Sequence, residues 1–302
     1  MSSGWVLLAL SSTVISALVN MLDSYFMSQR MPGMRAHILI CVLFSLPVSI
    51  VMLIAIPLPT GLGLAPLAAI FASTSASSLS IVLVLQAMKS EHVSRISPLI
   101  STSPVFVAFL AVLFLDEGLA WQQWLAIAAV VTGAVLISFK TDVSGEARFH
   151  LRPFVMLMTA SVLVAVSNVT NKYALGYMSY WNSATLIFLI SSVLFLLVCV
   201  RRSVLRELAF LRQRNFTIGI ALANQAVAMV ATVLAFWAVK LGPVALVSTV
   251  FNSKPLFIFA FAALAGRFVP RFLPQEPASR RVILMRVGAT LLVVSGLVVM
   301  LI

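Results

Sequence analysis

The stretch SPLISTSPVF at residues 97–106 returns in altered form as STVFNSKPLF at residues 248–257, 151 positions further along the chain. Both stretches begin with a serine and end with a proline, an aliphatic residue and a phenylalanine. Two more matches occur in the same order, Asn20-x-x-Asp23 with Asn168-x-x-Asn171 at an offset of 148, and VVTG at 130–133 with VVSG at 293–296. Ordered matches over most of the chain predict an internal repeat.

The composition indicates which solvent surrounds this repeat. The chain has 302 residues, of which 62% are hydrophobic and 9% are charged, whereas a soluble domain carries about 25% charged residues. One core cannot bury that much apolar surface, so lipid must surround most of it. The two cysteines, Cys41 and Cys199, lie inside apolar runs, so no disulfide framework indicates a compartment.

Ten apolar runs have the length of membrane spans, which need about 20 residues each. The runs are uninterrupted, which favours helices over the short alternating strands of a barrel. The sequence therefore predicts an all-α integral membrane protein with ten transmembrane helices. The predicted spans are 4–25, 36–57, 66–88, 93–115, 120–139, 153–174, 181–200, 216–239, 243–265 and 282–302.

The basic residues predict how the helices are oriented. Of the 20 Lys and Arg residues, 17 lie in or beside the connections that follow odd-numbered helices. By the positive-inside rule these connections are cytoplasmic, so both termini are predicted to lie outside the cytoplasmic membrane. Topology thus explains the net charge of +12. We expect no nucleic-acid partner, because no folded domain remains to bind one.

The repeat divides the predicted helices into two sets of five. Residues 1–140 form the first repeat, residues 153–302 the second, and residues 141–152 a cytoplasmic linker. Because five is odd, the two repeats cross the membrane in opposite directions. Inverted repeats are typical of secondary carriers, whose substrate site lies near the midplane where the halves meet.

Several stretches also resemble a known family. Those similar to the EamA repeat of the drug/metabolite transporter superfamily are residues 96–106, Leu115-Asp116-Glu117, Trp121 and Thr132-Gly133, with Pro255 and Ser295-Gly296 in the second half. The resemblance implies a ten-helix carrier whose cavity is lined by the helices nearest the repeat axis, with helices 5 and 10 at the periphery. Two features depart from the family: Gly266-Arg267 stands where an acid would match Glu117, and many members are expected to have the opposite topology.

The repeated stretches contain the main candidates for a substrate site. Pro104 and Pro255 each remove a backbone hydrogen bond and predict a kink at equivalent places in helices 4 and 9. Kinked helices at matching positions are the usual sign of a carrier's site. The polar residues beside the kinks, predicted to contact substrate, are Ser101, Ser103, Asn252 and Lys254.

Lys254 is the clearest of these candidates. It falls about eleven residues into helix 9, near the midplane at a rise of 1.5 Å per residue. A charge in hydrocarbon normally marks function, so the ammonium is predicted to hold an anionic group of the substrate or to titrate in coupling. The alternative is an internal ion pair. Few partners exist for one, since all but Asp23 of the eight acidic residues fall in or at loops.

A second group of polar residues lies near the ends of helices 1 and 6. Asp23 follows Asn20 by one turn on the same face, and Asn171 follows Asn168 in the same way. In an inverted pair these positions mark the two mouths of one cavity, so all four are predicted to bind substrate or close the cavity. The alternatives are a headgroup location for Asp23 and for Lys172, which follows Asn171, and interhelical hydrogen bonds for Asn20 and Asn168.

Together these features predict a secondary transporter that moves a small anionic or zwitterionic metabolite by alternating access, driven by the substrate gradient or by protons. The alternatives are a flippase for a lipid-linked phosphate or sugar, and a non-transporting receptor or assembly subunit. No P-loop occurs, and His37, His92 and His150 show no metal-ligand spacing. We therefore expect no enzymatic activity, cofactor or metal, and only a small-molecule substrate and the lipid bilayer as partners.

The predicted orientation can be tested on intact cells. A C-terminal tag should be digested by a protease added outside, because the positive-inside rule places both termini there. A tag on a cytoplasmic connection, such as residues 141–152, is the control that should survive. Protection of the C-terminal tag in intact cells would contradict the orientation.

Overall fold

In the computed structural model, the described residues form α-helices and some of the connections between them. It describes residues 4–29, 34–87, 99–138, 151–199, 204, 214–258, 260–261, 288, 291–292 and 295–296. The helices are α1 (Gly4–Gln29), α2 (Met34–Ala55), α3 (Leu64–Ala87), α4 (Ser103–Leu115), α5 (Trp121–Ser138), α6 (Leu151–Leu175), α7 (Tyr180–Cys199), α8 (Arg214–Leu241) and α9 (Val244–Phe251). A short helical segment at 254–258 follows α9. Most of the predicted tenth span, 282–302, lies outside the described residues.

Six of the described helices are long and apolar enough to cross a membrane, namely α1, α2, α3, α6, α7 and α8. Their outer surfaces carry large apolar side chains that water would not tolerate in such number; Ile54 is 78% exposed and Leu197 79%. Lipid is the solvent that such a surface requires. The prediction of a helical, multi-pass membrane protein is therefore confirmed.

The start of α1 and four of the connections meet at one face of the helix bundle. Trp5 of α1 packs on the connection between α8 and α9. The Asn182 amide donates to the Pro57 carbonyl at 3.0 Å, and the Lys240 ammonium to the Met178 carbonyl at 2.8 Å. These contacts join the connections 56–63, 116–120, 176–179 and 242–243.

We call this the N-terminal face. The opposite face is called the basic face, because the described starts of α2, α6 and α8 at that face carry Arg35, Arg152 and Arg214. Helix α1 begins at the N-terminal face, whereas α6 ends there beside the connection 176–179. Helices α1 and α6 therefore cross the bundle in opposite directions.

Helices of one half of the chain pack mainly on helices of the other half. The pairs α1–α8 and α3–α6 are in extensive contact, as are α2–α7 and α4–α9. When α1 to α4 are matched with α6 to α9, each pairing has a counterpart: α1–α8 corresponds to α3–α6, α1–α9 to α4–α6, and α2–α8 to α3–α7. The pairs α2–α7 and α4–α9 are their own counterparts.

The largest buried apolar cluster forms where α4 and α9 cross. Val107 of α4 and Val247 of α9 are fully buried there, and Trp5 of α1 joins them. Helix α5 contributes Val130, on which the helical residue Gly296 also lies: a Cβ added to Gly296 would be 2.7 Å from the Val130 Cγ2. The α4–α9 pair therefore has packed helices on several sides, which fixes its position.

Gly242 provides a test of the packing at the N-terminal face. A Cβ added there would lie 2.7 Å from a ring carbon of Trp5, closer than packed atoms approach. We expect Gly242→Ala to destabilise the protein by about 1–3 kcal/mol, as overpacking does, and to lower the apparent melting temperature in detergent.

The matched control is Gly219→Ala in α8, where a Cβ would meet nothing within 4 Å. Alanine favours a helix over glycine by about 1 kcal/mol, so this variant should keep or raise the melting temperature. Equal losses in the two variants would show that the Trp5 contact is not the cause.

Candidate functional site

Each of the two repeated stretches contains a two-residue turn directly before the helical segment that carries its proline. The turns are 101–102 before α4 and 252–253 after α9. Pro104 therefore lies in the first turn of α4, and Pro255 has the same place in the segment 254–258. Proline is tolerated at a helix start, because the first N–H groups have no intrahelical partner. The prolines thus begin new helical segments, where the sequence predicted kinks within single helices.

The two turns touch each other. The Asn252 side-chain amide donates a hydrogen bond of 2.6 Å to the Ser101 carbonyl, and these residues are 151 positions apart. A residue that contacts its own equivalent must lie close to the axis that relates the two stretches. A second contact near this axis joins the hydroxyls of Ser45 in α2 and Ser192 in α7 at 2.8 Å; at an offset of 148, Ser192 lies one position before the equivalent of Ser45. Both contacts join helix pairs that are their own counterparts.

Away from these contacts, the same hydrogen bond occurs twice. The Ser12 hydroxyl of α1 donates to the Ala231 carbonyl of α8 at 2.8 Å, and the Ser80 hydroxyl of α3 donates to the Ala160 carbonyl of α6 at 3.0 Å. An offset of 148 carries Ser12 to Ala160, and an offset of 151 carries Ser80 to Ala231. The two bonds therefore join equivalent positions. In one bond the donor lies on α1, and in the other it lies on α3, the counterpart of α8.

Lys254 is the first residue of the helical segment that follows the touching turns, and its side chain is half-buried. Ser103, also half-buried, has the equivalent place in the first half. Within the described part of the chain, no hydrogen bond or ion pair engages the Lys254 ammonium. Two described carboxylates inside the bundle are engaged elsewhere, Asp23 with His37 and Glu117 with Lys172. The substrate role of Lys254 and Ser103 remains a prediction.

Asp23 joins three helices near the basic face, about 28 Å along α1 from Gly4 at 1.5 Å per residue. Its Oδ1 accepts a 2.7 Å hydrogen bond from the Asn224 amide of α8 and lies 3.2 Å from Nε2 of His37 in α2. Asn20, one turn earlier, is exposed. The predicted closing role of Asp23 thus has two partners that the sequence argument did not assign.

Asn171 occupies the equivalent place near the N-terminal face. It is buried, and its side-chain oxygen accepts a 2.7 Å hydrogen bond from the Ser183 hydroxyl of α7. One turn earlier, Asn168 is half-buried. The bond between Asn171 and Ser183 joins α6 to α7. From sequence, such an interhelical bond was the alternative given for Asn20 and Asn168, and here Asn171 makes one. Substrate contact by Asn20, Asn168, Asn171 or Asp23 remains a prediction.

Glu117 connects α4 to the start of α9. The chain leaves α4 through Asp116, which has a left-handed backbone conformation with φ 51°, and the N–H groups of Asp116 and Glu117 both bond to the Ala111 carbonyl. Aspartate tolerates this conformation better than most residues. The turn directs Glu117 to the N-terminus of α9, where its Oε1 accepts a 3.0 Å hydrogen bond from the Val244 N–H.

Lys172 completes this arrangement on the other side of the α8–α9 connection. Its ammonium donates to the carbonyls of Val239 at 2.6 Å and Gly242 at 2.8 Å, and lies 4.0 Å from the Glu117 Oε1. A cation at the end of α8 and an anion at the start of α9 both match the helix dipoles. Residues from α4, α6, α8 and α9 are thereby tied together at the N-terminal face.

Two of these groups were missed because their partners lie far apart in the chain. From sequence, a headgroup location was the alternative considered for Lys172, and Glu117 had no role beyond the family motif. One sequence feature could have singled out Glu117: the matching place in the second half, Gly266-Arg267, has no acidic residue. This difference suggests that Glu117 has a role in the first half alone.

No group of three or more His, Cys, Asp or Glu side chains able to hold a metal occurs among the described residues. The predicted absence of a metal or cofactor remains untested.

Comparisons with known proteins agree with this architecture. Residues 3–139 match the sequence model described as the EamA-like transporter family. A solved structure titled "Crystal structure of protein" superimposes with a TM-score of 0.69, covering 99% of this chain and 98% of that chain at 13% identity. At this identity the likeness shows a shared fold alone. A search of curated proteins finds no match.

The contact between the two turns can be tested by substitution. Asn252→Ala would leave the Ser101 carbonyl without its 2.6 Å donor in the bundle interior. Leaving a buried polar group unpaired costs about 1–3 kcal/mol, so the apparent melting temperature should fall by several degrees, about 2–4 °C per kcal/mol for a chain of this size. The control is Asn20→Ala, which removes an exposed asparagine and should change it little. Equal effects of the two substitutions would refute the importance of the bond.

Proposed function

We propose that this chain is a secondary transporter built from two inverted repeats of five helices, as its match to the EamA-like transporter family model over residues 3–139 suggests. The matched helix pairings support this proposal, as do the opposite directions of α1 and α6. Two near-symmetric halves can exchange conformations, which provides alternating access to a site between them.

The proposed substrate site lies where the turns 101–102 and 252–253 meet. Interrupted helices in a bilayer are tolerated only where protein or a water-filled cavity satisfies the freed backbone groups. Here one freed carbonyl, that of Ser101, is satisfied by Asn252 from the other half. The site therefore contains parts of both repeats, so a rearrangement of one half against the other changes its shape.

The observation that carries the proposed substrate class is the Lys254 ammonium, which has no hydrogen-bond or ion-pair partner among the described residues. An uncompensated charge in the bilayer interior costs several kcal/mol and is retained where a ligand or ion offsets the cost. Substrates with a carboxylate or phosphate provide that partner. Hydroxyls and amides beside it, from Ser101, Ser103 and Asn252, supply further donors and acceptors. We therefore propose a small anionic or zwitterionic metabolite.

Alternating access also requires that each mouth of the cavity closes in turn. Near the N-terminal face, Glu117 and Lys172 tie four helices around the α8–α9 connection. Near the basic face, Asp23 ties α1 to α2 and α8. Both clusters are formed in this structure. We propose that they are the two closures and that they open in turn, never both at once.

The substrate class is tested by heat denaturation of purified protein with a panel of anionic, zwitterionic and cationic solutes. A ligand at about 100 times its Kd stabilises the folded state by about 2.7 kcal/mol. We expect anions or zwitterions to raise the melting temperature of the wild type, and the shift to disappear in Lys254→Met.

The matched control is Lys240→Met. Lys240 is also a lysine at a helix end, but its ammonium bonds to the Met178 carbonyl at the N-terminal face. That variant should keep the ligand-induced shift whatever its basal stability. Shifts that survive in Lys254→Met, or that come from cations alone, would contradict the proposed site. Shifts produced only by lipid-linked phosphates or sugars would replace this proposal with a flippase.

A further inference from the structure

The clusters at the two ends of the bundle are equivalent in position but different in chemistry. Near the N-terminal face, the Ser73 hydroxyl of α3 donates to the Ser167 carbonyl of α6 at 2.8 Å. Offsets of 151 and 148 carry these residues to Asn224 and Val19, and the Asn224 amide lies 3.5 Å from the Val19 carbonyl. The same interhelical contact is therefore present at both ends.

Titratable groups are added to this contact at the basic face alone. The residue equivalent to Asp23 is Asn171, whose partner is the neutral hydroxyl of Ser183. Asp23 instead faces His37, which lies 3.2 Å away. A purely structural contact is made adequately by the neutral version, as the other end of the bundle demonstrates. The carboxylate of Asp23 and the imidazole of His37 thus add groups that can bind and release protons, which helix packing alone does not require.

Among the side chains that the structure describes, few groups face His37. From its own helix, the Cys41 thiol lies 3.7 Å from Nε2, and from α1 comes the Asp23 carboxylate. Helix α8 contributes only the neutral amide of Asn224, bonded to the same carboxylate oxygen. The remaining ring nitrogen of His37, Nδ1, is buried without a partner in the described structure. The imidazole is therefore held chiefly by Asp23.

We propose that Asp23, His37 and Asn224 form a proton-binding site through which protons from the basic face drive the opening of that face. The proposal rests on the proposed transport function and names its coupling ion. The Asp23 side chain is 36% exposed, so protons can reach it.

Only one proton is exchanged in this step. With Asp23 ionised, its Oδ1 accepts from both His37 and Asn224 and ties α1 to α2 and α8. A proton from solvent forms an O–H bond on the carboxyl group and cancels its charge, so the charge-assisted bonds weaken to neutral ones. Helix α1 is then released from α2 and α8. Loss of the proton to solvent restores the closed cluster.

The test follows the separation of α1 and α8 without any substrate. Spin labels are placed on cysteines substituted for Leu22 and Val227, both exposed, in a Cys41→Ser, Cys199→Ser background. Their distance is measured by electron paramagnetic resonance in lipid nanodiscs at about pH 7 and about pH 4, the lower value lying in the range in which carboxyl groups take up a proton. We expect a second population at the lower pH, longer by about 5 Å, which is of the order of helix movements in such transitions.

Asp23→Asn installs the residue that the other half uses, so it should fold and give one pH-independent distance. Asp23→Glu keeps a carboxylate and should retain the response, and Asn171→Ala, at the equivalent position, should retain it as well. A wild-type distance that does not change with pH overturns the proposal, and so does a change that survives in Asp23→Asn. The Lys254-dependent ligand shift, measured in Asp23→Asn, reports separately on the proposed transport function: if that shift persists while the pH response is absent in the wild type, only the proton site fails.

Discussion

The architecture depends on one constraint: a backbone N–H or C=O group in lipid must find a partner inside the protein. The turns at 101–102 and 252–253 interrupt two helices within the bundle and release carbonyls that an unbroken helix would satisfy. They are tolerated because the interruptions meet, so that Asn252 of one half bonds Ser101 of the other. The position of α4 and α9 at the centre, with α1, α5 and α6 packed around them, is what keeps this contact away from lipid.

Equivalence of the two halves is maintained by geometry more than by residue identity. The bond between α1 and α8 uses the hydroxyl of Ser12, while its counterpart uses Ser80 from α3. Either helix of such a pair can supply the donor, because the acceptor is a backbone carbonyl that every residue has. The residues at matching positions can therefore differ while the helix spacing is kept, as they do where Asp23 in α1 matches Asn171 in α6.

The sequence was sufficient for features that depend on composition or local chemistry. The apolar runs, the repeat and the prolines at matching places led to the helical membrane fold and to the two interrupted helices. It was insufficient for contacts that require knowing which helices are neighbours. Asp23 meets Asn224 because α1 packs on α8, and Glu117 meets Val244 because α4 packs beside α9; 201 and 127 positions separate these pairs. Asn252 was predicted from sequence as a substrate group, and the structure has its amide engaged with Ser101.

Helix α1 is synthesised long before the helices on which it packs. Its main partners, α8 and α9, are made only after some 210 residues have followed Gly4, and α3 likewise waits for α6 and α7. Until then each early helix must persist alone in the bilayer, as stable single spans do. The Thr13 and Thr74 hydroxyls, bonded back to carbonyls of their own helices, are satisfied at that stage. Most of the packing around α1 and α3 therefore requires helices of the second half, so neither half has its full set of helix contacts without the other.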